Sequence, residues 1–123
     1  MVVLPDHLHA VWTLPDDDPG ISKRWYLIKL GFTHRLSARG IDLPRGRRVG
    51  ERALWQRRFW EHLIRDDDDF ARHVDYCHIN PMKHGLVTRV ADWPHSSFHR
   101  AVRDGIYAPD WAGDAATDGI DRE

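Results

Sequence analysis

Apolar residues recur along this chain with two different periods, and the switches between them mark its elements. The opening run Val2-Val3-Leu4-Pro5-Asp6-His7-Leu8-His9 and its continuation to Thr13 read as a strand, with Pro5 at a bulge or edge. Residues 15–20, with three aspartates ahead of Gly20, read as a loop. Ser22 is placed to cap a helix running to about Ala38, whose apolar stripe Trp25, Ile28, Phe32 and Leu36 is spaced 3, 4 and 4. A basic loop around Pro44 follows. Residues 54–64 return to period two, with Trp55, Arg57, Phe59 and Glu61 on one face and Gln56, Arg58, Trp60 and His62 on the other. Carboxylates at 66–69 sit where a helix dipole favours them. That helix is expected from about Asp67 to Ile79, burying Phe70, Val74 and Cys77, until Pro81 breaks it. Trp93-Pro94 is a turn, and residues 96–103 form a short last helix.

These elements give an α+β chain. Its domain occupies residues 1–105, and residues 106–123 form an acidic, flexible tail rich in Asp, Gly and Ala. Two strands make a poor sheet. Either another copy supplies strands, or part of the domain lies ahead of Met1.

Composition narrows the class. A chain of 123 residues with 41% hydrophobic residues can bury a real core. Cys77 is the single cysteine, which excludes an internal disulfide and a cysteine-based zinc cluster and suits a reducing cytosol. No apolar run approaches the roughly 20 residues that span a bilayer, and the start lacks the basic leader of a signal peptide. The net charge of −1 hides an asymmetry. Residues 22–65 hold 12 Lys/Arg against 3 Asp/Glu, and the remainder holds 6 against 16. A basic middle of that kind suits a polyanion, although an arginine-rich solvated surface gives the same count.

Candidate chemistry begins with His7 and His9. Residues two apart on a strand share a face, so both imidazoles point one way while Leu8 points into a core. This is a metal-ligand pair. On the helix after the acidic cap, His73, Tyr76 and Asn80 fall within roughly 60° of one another at 100° per residue, beside the buried stripe. Tyr76 and Asn80 are therefore expected at the rim of the sheet. Two imidazoles, a carboxamide and a phenol around one divalent ion would suit attack of the phenol on a phosphodiester, leaving a phosphotyrosine bond that conserves the energy of the broken backbone. Spacing alone leaves other readings open. One is a structural tyrosine with ordinary histidines. Another is a zinc hydrolase in which His62, His73 or His78 joins His7 and His9.

Longer motifs sharpen the choice. Leu4-Pro5-Asp6-His7-Leu8-His9 resembles the signature of the HUH single-strand nucleases. With Trp55-Gln56-Arg57-Arg58-Phe59-Trp60-Glu61-His62, with Tyr76-Cys77-His78-Ile79-Asn80-Pro81-Met82-Lys83-His84-Gly85-Leu86-Val87 and with Asp92-Trp93-Pro94-His95-Ser96-Ser97-Phe98, the pattern resembles the REP-associated tyrosine transposases over about residues 1 to 111. The resemblance implies a ferredoxin-like antiparallel sheet with helices on one face. It implies an enzyme that cleaves and rejoins single-stranded DNA near hairpins through a 5′-phosphotyrosine. It also implies Tyr76 as nucleophile and His7, His9 and Asn80 as ligands of Mg²⁺ or Mn²⁺. Relatives carry one further strand and helix ahead of the point where this chain begins. That implies an incomplete sheet, and the alternative is a catalytically inactive DNA-binding remnant.

DNA contact needs cations and aromatic platforms. Arg45, Arg47 and Arg48 in the basic loop, together with Arg57 and Arg58, are the expected phosphate contacts. The implied partner is single-stranded or hairpin DNA, with no membrane, from a monomer or a homodimer. The implied location is the cytoplasm, on the nucleoid.

Overall fold

The computed structural model describes residues 1–18, 20–45 and 54–112. The chain folds as two units. One joins residues 1–13 to the stretch from His62 onward, and the other is residues 14–61.

The first unit starts with a β-hairpin where one continuous strand was expected. β1 (Val2–Val3) pairs antiparallel with β2 (Leu8–His9), setting Val2 opposite His9 and Val3 opposite Leu8. The Leu4 N–H donates to the His7 carbonyl (2.8 Å), leaving Pro5 and Asp6 as the tip. Proline presets the backbone for the first corner of a turn, so the residue expected at an edge reverses the chain instead. The other edge of β1 is also covered. Val2 bridges Ser96, the Val3 N–H donates to the His95 carbonyl (2.9 Å), and the Trp93 indole N–H caps the Val3 carbonyl (2.9 Å).

Helix α2 (Asp67–Lys83) backs this hairpin. Asp66 caps it by accepting the Asp69 N–H (2.8 Å), with Asp67, Asp68 and Asp69 in the first turn. Pro81 was expected to break the helix, yet the helix continues through it to Lys83. The missing N–H forfeits one bond to Cys77 only a turn from the end, where the ladder closes anyway. The end is a Schellman motif: the Leu86 N–H reaches the Pro81 carbonyl (2.9 Å), and the Gly85 N–H reaches Met82 (3.0 Å). Gly85 takes φ 68°, which a side chain would oppose.

Two apolar clusters flank α2. Val2, Leu4 and Cys77 pack with Val11 and Trp93. Ile79, Val90 and Phe98 pack with Met82, Ala91, Val102, Tyr107 and Trp111. The second cluster joins α2 to a 3₁₀ turn (Val90–Asp92) and to α3 (Phe98–Arg103). The expected stripe on α2 is displaced. Cys77 is buried, but Phe70 is 46% exposed and Asp69 turns inward in its place, because that carboxylate collects hydrogen bonds from neighbouring groups, as described below.

The second unit holds α1 (Ile21–Ala38). Gly20 occupies the N-cap position and Ser22 lies inside the first turn, so the expected serine cap is absent. No residue of α1 is buried, and Ile28 and Phe32 are 44% and 46% exposed. Residues 54–64 form no strand. Within this unit Trp55 packs edge-on against Phe32 (5.5 Å) and its indole N–H donates to Thr33 (3.3 Å), while Phe59 meets Trp25 (6.1 Å). The alternation expected of a strand is thus met by aromatic packing on a helix, with no ladder partner among the described residues. The α+β class holds, with a two-stranded antiparallel ribbon and helices.

His78 illustrates the cost of this packing. It is buried beside Phe98 and Tyr107, with Nε2 3.1 Å from the Ser97 hydroxyl. Burial pushes its pKa down to about 4. A histidine kept neutral in the fold contributes stability above its unfolded value of about 6.5, and that contribution is lost as pH falls towards 4. Melting temperature should therefore decline between pH 6.5 and 4. In His78→Gln that portion of the decline should be absent.

Candidate active site

The hairpin places His7 just after its tip and His9 on β2, and the two rings converge, with centroids 5.0 Å apart and planes at 87°. Asp6 lies beside His7, its Oδ1 2.7 Å from Nδ1. A carboxylate only accepts, so Nδ1 is the donor of this bond, and in the neutral ring Nε2 is the nitrogen left to hold a metal. A carboxylate that accepts from one ring nitrogen in this way turns the other nitrogen of a metal-binding histidine towards the ion. The same bond holds Asp6 below the usual carboxylate range.

Helix α2 supplies the remainder. The Tyr76 ring stands edge-on to His9 at 5.4 Å. Asn80 lies one turn further along, the register in which helical side chains are neighbours. Both residues are buried, Tyr76 at 5% and Asn80 at 0% exposure, so the expected position on an open rim is corrected. Cys77 draws this part of α2 onto Val2 and Leu4, which carries its neighbours inward. The Asn80 oxygen and nitrogen are buried with no hydrogen-bond partner among the described residues. Lys83 covers the Tyr76 ring, its ammonium 5.0 Å from the centroid.

One neighbour of the histidine pair was missed in the sequence. His84 at the C-cap of α2 meets His7, with centroids 5.1 Å apart. The signal was available: Tyr76, Asn80 and His84 are successive steps of four on one helix face. His84, not His62, His73 or His78, is therefore the third imidazole beside His7. His78 sits in the core, while His62 and His73 gather on Asp69.

No family model matches the chain. A REP-associated tyrosine transposase of Escherichia coli K12 is 50% identical over 113 residues, which are 92% of this chain and 61% of that protein. A putative REP-associated tyrosine transposase of Haemophilus influenzae is 48% identical over 112 residues, covering 90% and 64%. A solved structure of a REP-associated tyrosine transposase bound to a REP hairpin superposes with a TM-score of 0.76 at 50% identity, covering 92% of this chain and 61% of that one. Over those 113 residues the chain is a homologue of the REP-associated tyrosine transposases. It spans about three-fifths of the length of these relatives.

Against these transposases, the residues expected to contact DNA are placed as follows. Arg45, Arg57 and Arg58 are exposed in the second unit. Arg57 and Arg58 are not divided between two faces of a strand, since no strand forms there. Arg47 and Arg48 lie outside the described residues. No described helix is long and apolar enough to cross a membrane.

The Asn80 amide has an energetic signature. A buried amide without partners costs about 1–3 kcal/mol. Asn80→Leu, which keeps the volume and removes the polar atoms, should raise the unfolding free energy in urea by about 1 kcal/mol when measured in chelator. An amide serving the fold would give a loss of stability instead.

Proposed function

We propose that the chain is a metal-dependent DNA strand transferase that cleaves and rejoins single-stranded DNA beside a hairpin through Tyr76. The observation that carries this reading is the convergence of His7, His9 and Tyr76 on one side of α2, together with the buried, unsatisfied amide of Asn80. Two converging imidazoles, with a buried amide oxygen one helical turn beyond Tyr76, are a donor set for Mg²⁺ or Mn²⁺, and imidazole donors suit Mn²⁺ better. When bound there, the ion supplies Lewis-acid polarisation of a phosphodiester oxygen.

The chain's own residues do the rest. The Tyr76 oxygen attacks phosphorus, and a new P–O bond forms as the bond to the 3′ oxygen breaks. The phenol proton is released, and the 3′ oxygen leaves as a hydroxyl after taking up a proton. The 5′ phosphate stays on Tyr76 and is returned to a 3′ hydroxyl in the reverse step. Asp6 holds the His7 tautomer. Lys83 places positive charge over the phenol ring where the phosphate must approach. Because Tyr76 is buried, its side chain or its Lys83 cover has to move before attack.

The substrate inferred for this chain is hairpin DNA with a single-stranded flank, met by exposed Arg45, Arg57 and Arg58 and, from the sequence, by Arg47 and Arg48. The hairpin in the solved relative supports that choice. The inferred setting is the bacterial nucleoid. A labelled hairpin oligonucleotide incubated with the chain and Mn²⁺ should give an SDS-resistant protein–DNA adduct, abolished in Tyr76→Phe and in His9→Ala. An adduct that survives Tyr76→Phe would overturn the assignment of the nucleophile. Hairpin binding with no adduct from the unaltered chain would reduce the protein to a DNA-binding module.

A further inference from the structure

A second set of ligand-capable groups gathers where α2 begins. Asp69 is 5% exposed in the first turn. Its Oδ2 accepts the Arg65 N–H (3.0 Å) and lies 2.7 Å from His62 Nε2. Its Oδ1 lies 3.1 Å from His73 Nδ1. Two imidazole nitrogens and a carboxylate oxygen thus fall within 4.8 Å of one another. We propose that His62, Asp69 and His73 form a transition-metal site of the Zn²⁺ class, separate from the His7–His9–Asn80 group.

Two imidazoles with one carboxylate are a zinc donor set, and imidazole nitrogen favours zinc, nickel or copper over magnesium. Around a tetrahedral ion with bonds of about 2.0–2.1 Å, neighbouring donors stand roughly 3.3 Å apart. The two separations from Asp69, 2.7 Å at Oδ2 and 3.1 Å at Oδ1, are both shorter than that, so the imidazole nitrogens must draw back from the carboxylate to seat an ion. Two adjustments accompany it. The rings now stack at 4.3 Å and 10°, and they must fan apart because an imidazole holds a metal near its own plane. His73 Nδ1 must also give up its contact with the Asp69 carbonyl (2.8 Å).

Burial separates this cluster from a chance pair of surface histidines. The Asp69 carboxylate is shielded from water and oriented by the Arg65 N–H, the support that a ligating carboxylate requires. The Arg72 guanidinium, 3.6 Å from Oδ1, is half exposed and has solvent to swing into. The role that follows is structural. Asp69 and His73 are one turn apart on α2, and His62 comes from the segment ahead of the Asp66 cap. An ion there ties that segment to the first turn of the helix, and water takes the remaining coordination position.

The test uses the full chain carrying His7→Ala and His9→Ala, which silences the other site. Titration with Co²⁺ should give d–d absorption saturating at one equivalent, and Zn²⁺ should displace it and raise the melting temperature. Adding His73→Gln should weaken binding by more than about tenfold and remove the Zn²⁺-induced rise, with helix content unchanged by circular dichroism. His62→Gln should act in the same way. No binding in the His7/His9 double variant would overturn the proposal, as would binding that survives both glutamine substitutions. The DNA adduct assay reads the tyrosine site independently, so either assignment can fail without the other.

Discussion

Val2 is the residue on which the tyrosine site depends. It is fully buried, and its backbone is engaged on both edges, against His9 on one side and Ser96 on the other. Its side chain packs with Leu4 on Cys77 of α2. That single contact sets the distance between hairpin and helix. His9 is cross-strand from Val2, and Tyr76 is next to Cys77. Burying the apolar pair therefore brings imidazole and phenol edge to edge.

The same helix concentrates polar groups where a core would normally be apolar. Asp69, His78 and Asn80 are all buried on α2. Asp69 is well satisfied, by a backbone N–H and by His62. His78 has one contact to Ser97, and its neutral form is enforced by burial. Asn80 has no partner among the described residues. Satisfied buried polar groups stiffen a fold, whereas an unsatisfied one weakens it. The ordering along α2 is informative on that ground. The N-terminal half carries a closed network, and the C-terminal half carries an open amide one turn beyond Tyr76. Phe98, Tyr107 and Trp111 supply the apolar mass that supports this uneven helix from behind.

Much of the site was legible in the sequence because it depends on local periodicity. His7 and His9 were expected to meet on one strand, and their rings do lie together, but His7 precedes β2; the four-residue spacing of Tyr76 and Asn80 put them on one helix face. The helical stretches 22–38 and 67–79 were each located within a few residues of α1 and α2. The errors have a common cause. Alternation at 54–64 signals only that two faces differ, and a helix such as α1 can satisfy one face as well as a neighbouring strand can. Pro81 signals a lost hydrogen bond, but the damage depends on how close the helix end lies. Phe70 lost its expected place to Asp69 because hydrogen bonds from His62 and Arg65 come from outside the helix pattern.

The sequence by itself determined which side chains share a face of α1 and of α2, since that follows from the helical repeat alone. It also contained the motifs shared with the transposase relatives. Only the tertiary structure decided which faces meet. It folded the first nine residues back at Pro5-Asp6, buried Tyr76 and Asn80, brought His84 to His7, and drew His62 and His73 to Asp69. The meeting of the hairpin with α2 rests on contacts between residues roughly seventy positions apart, such as His9 with Tyr76 and His7 with His84, while the turn at Pro5-Asp6 and the Asp69 cluster are local but depend on hydrogen bonds that apolar periodicity does not encode.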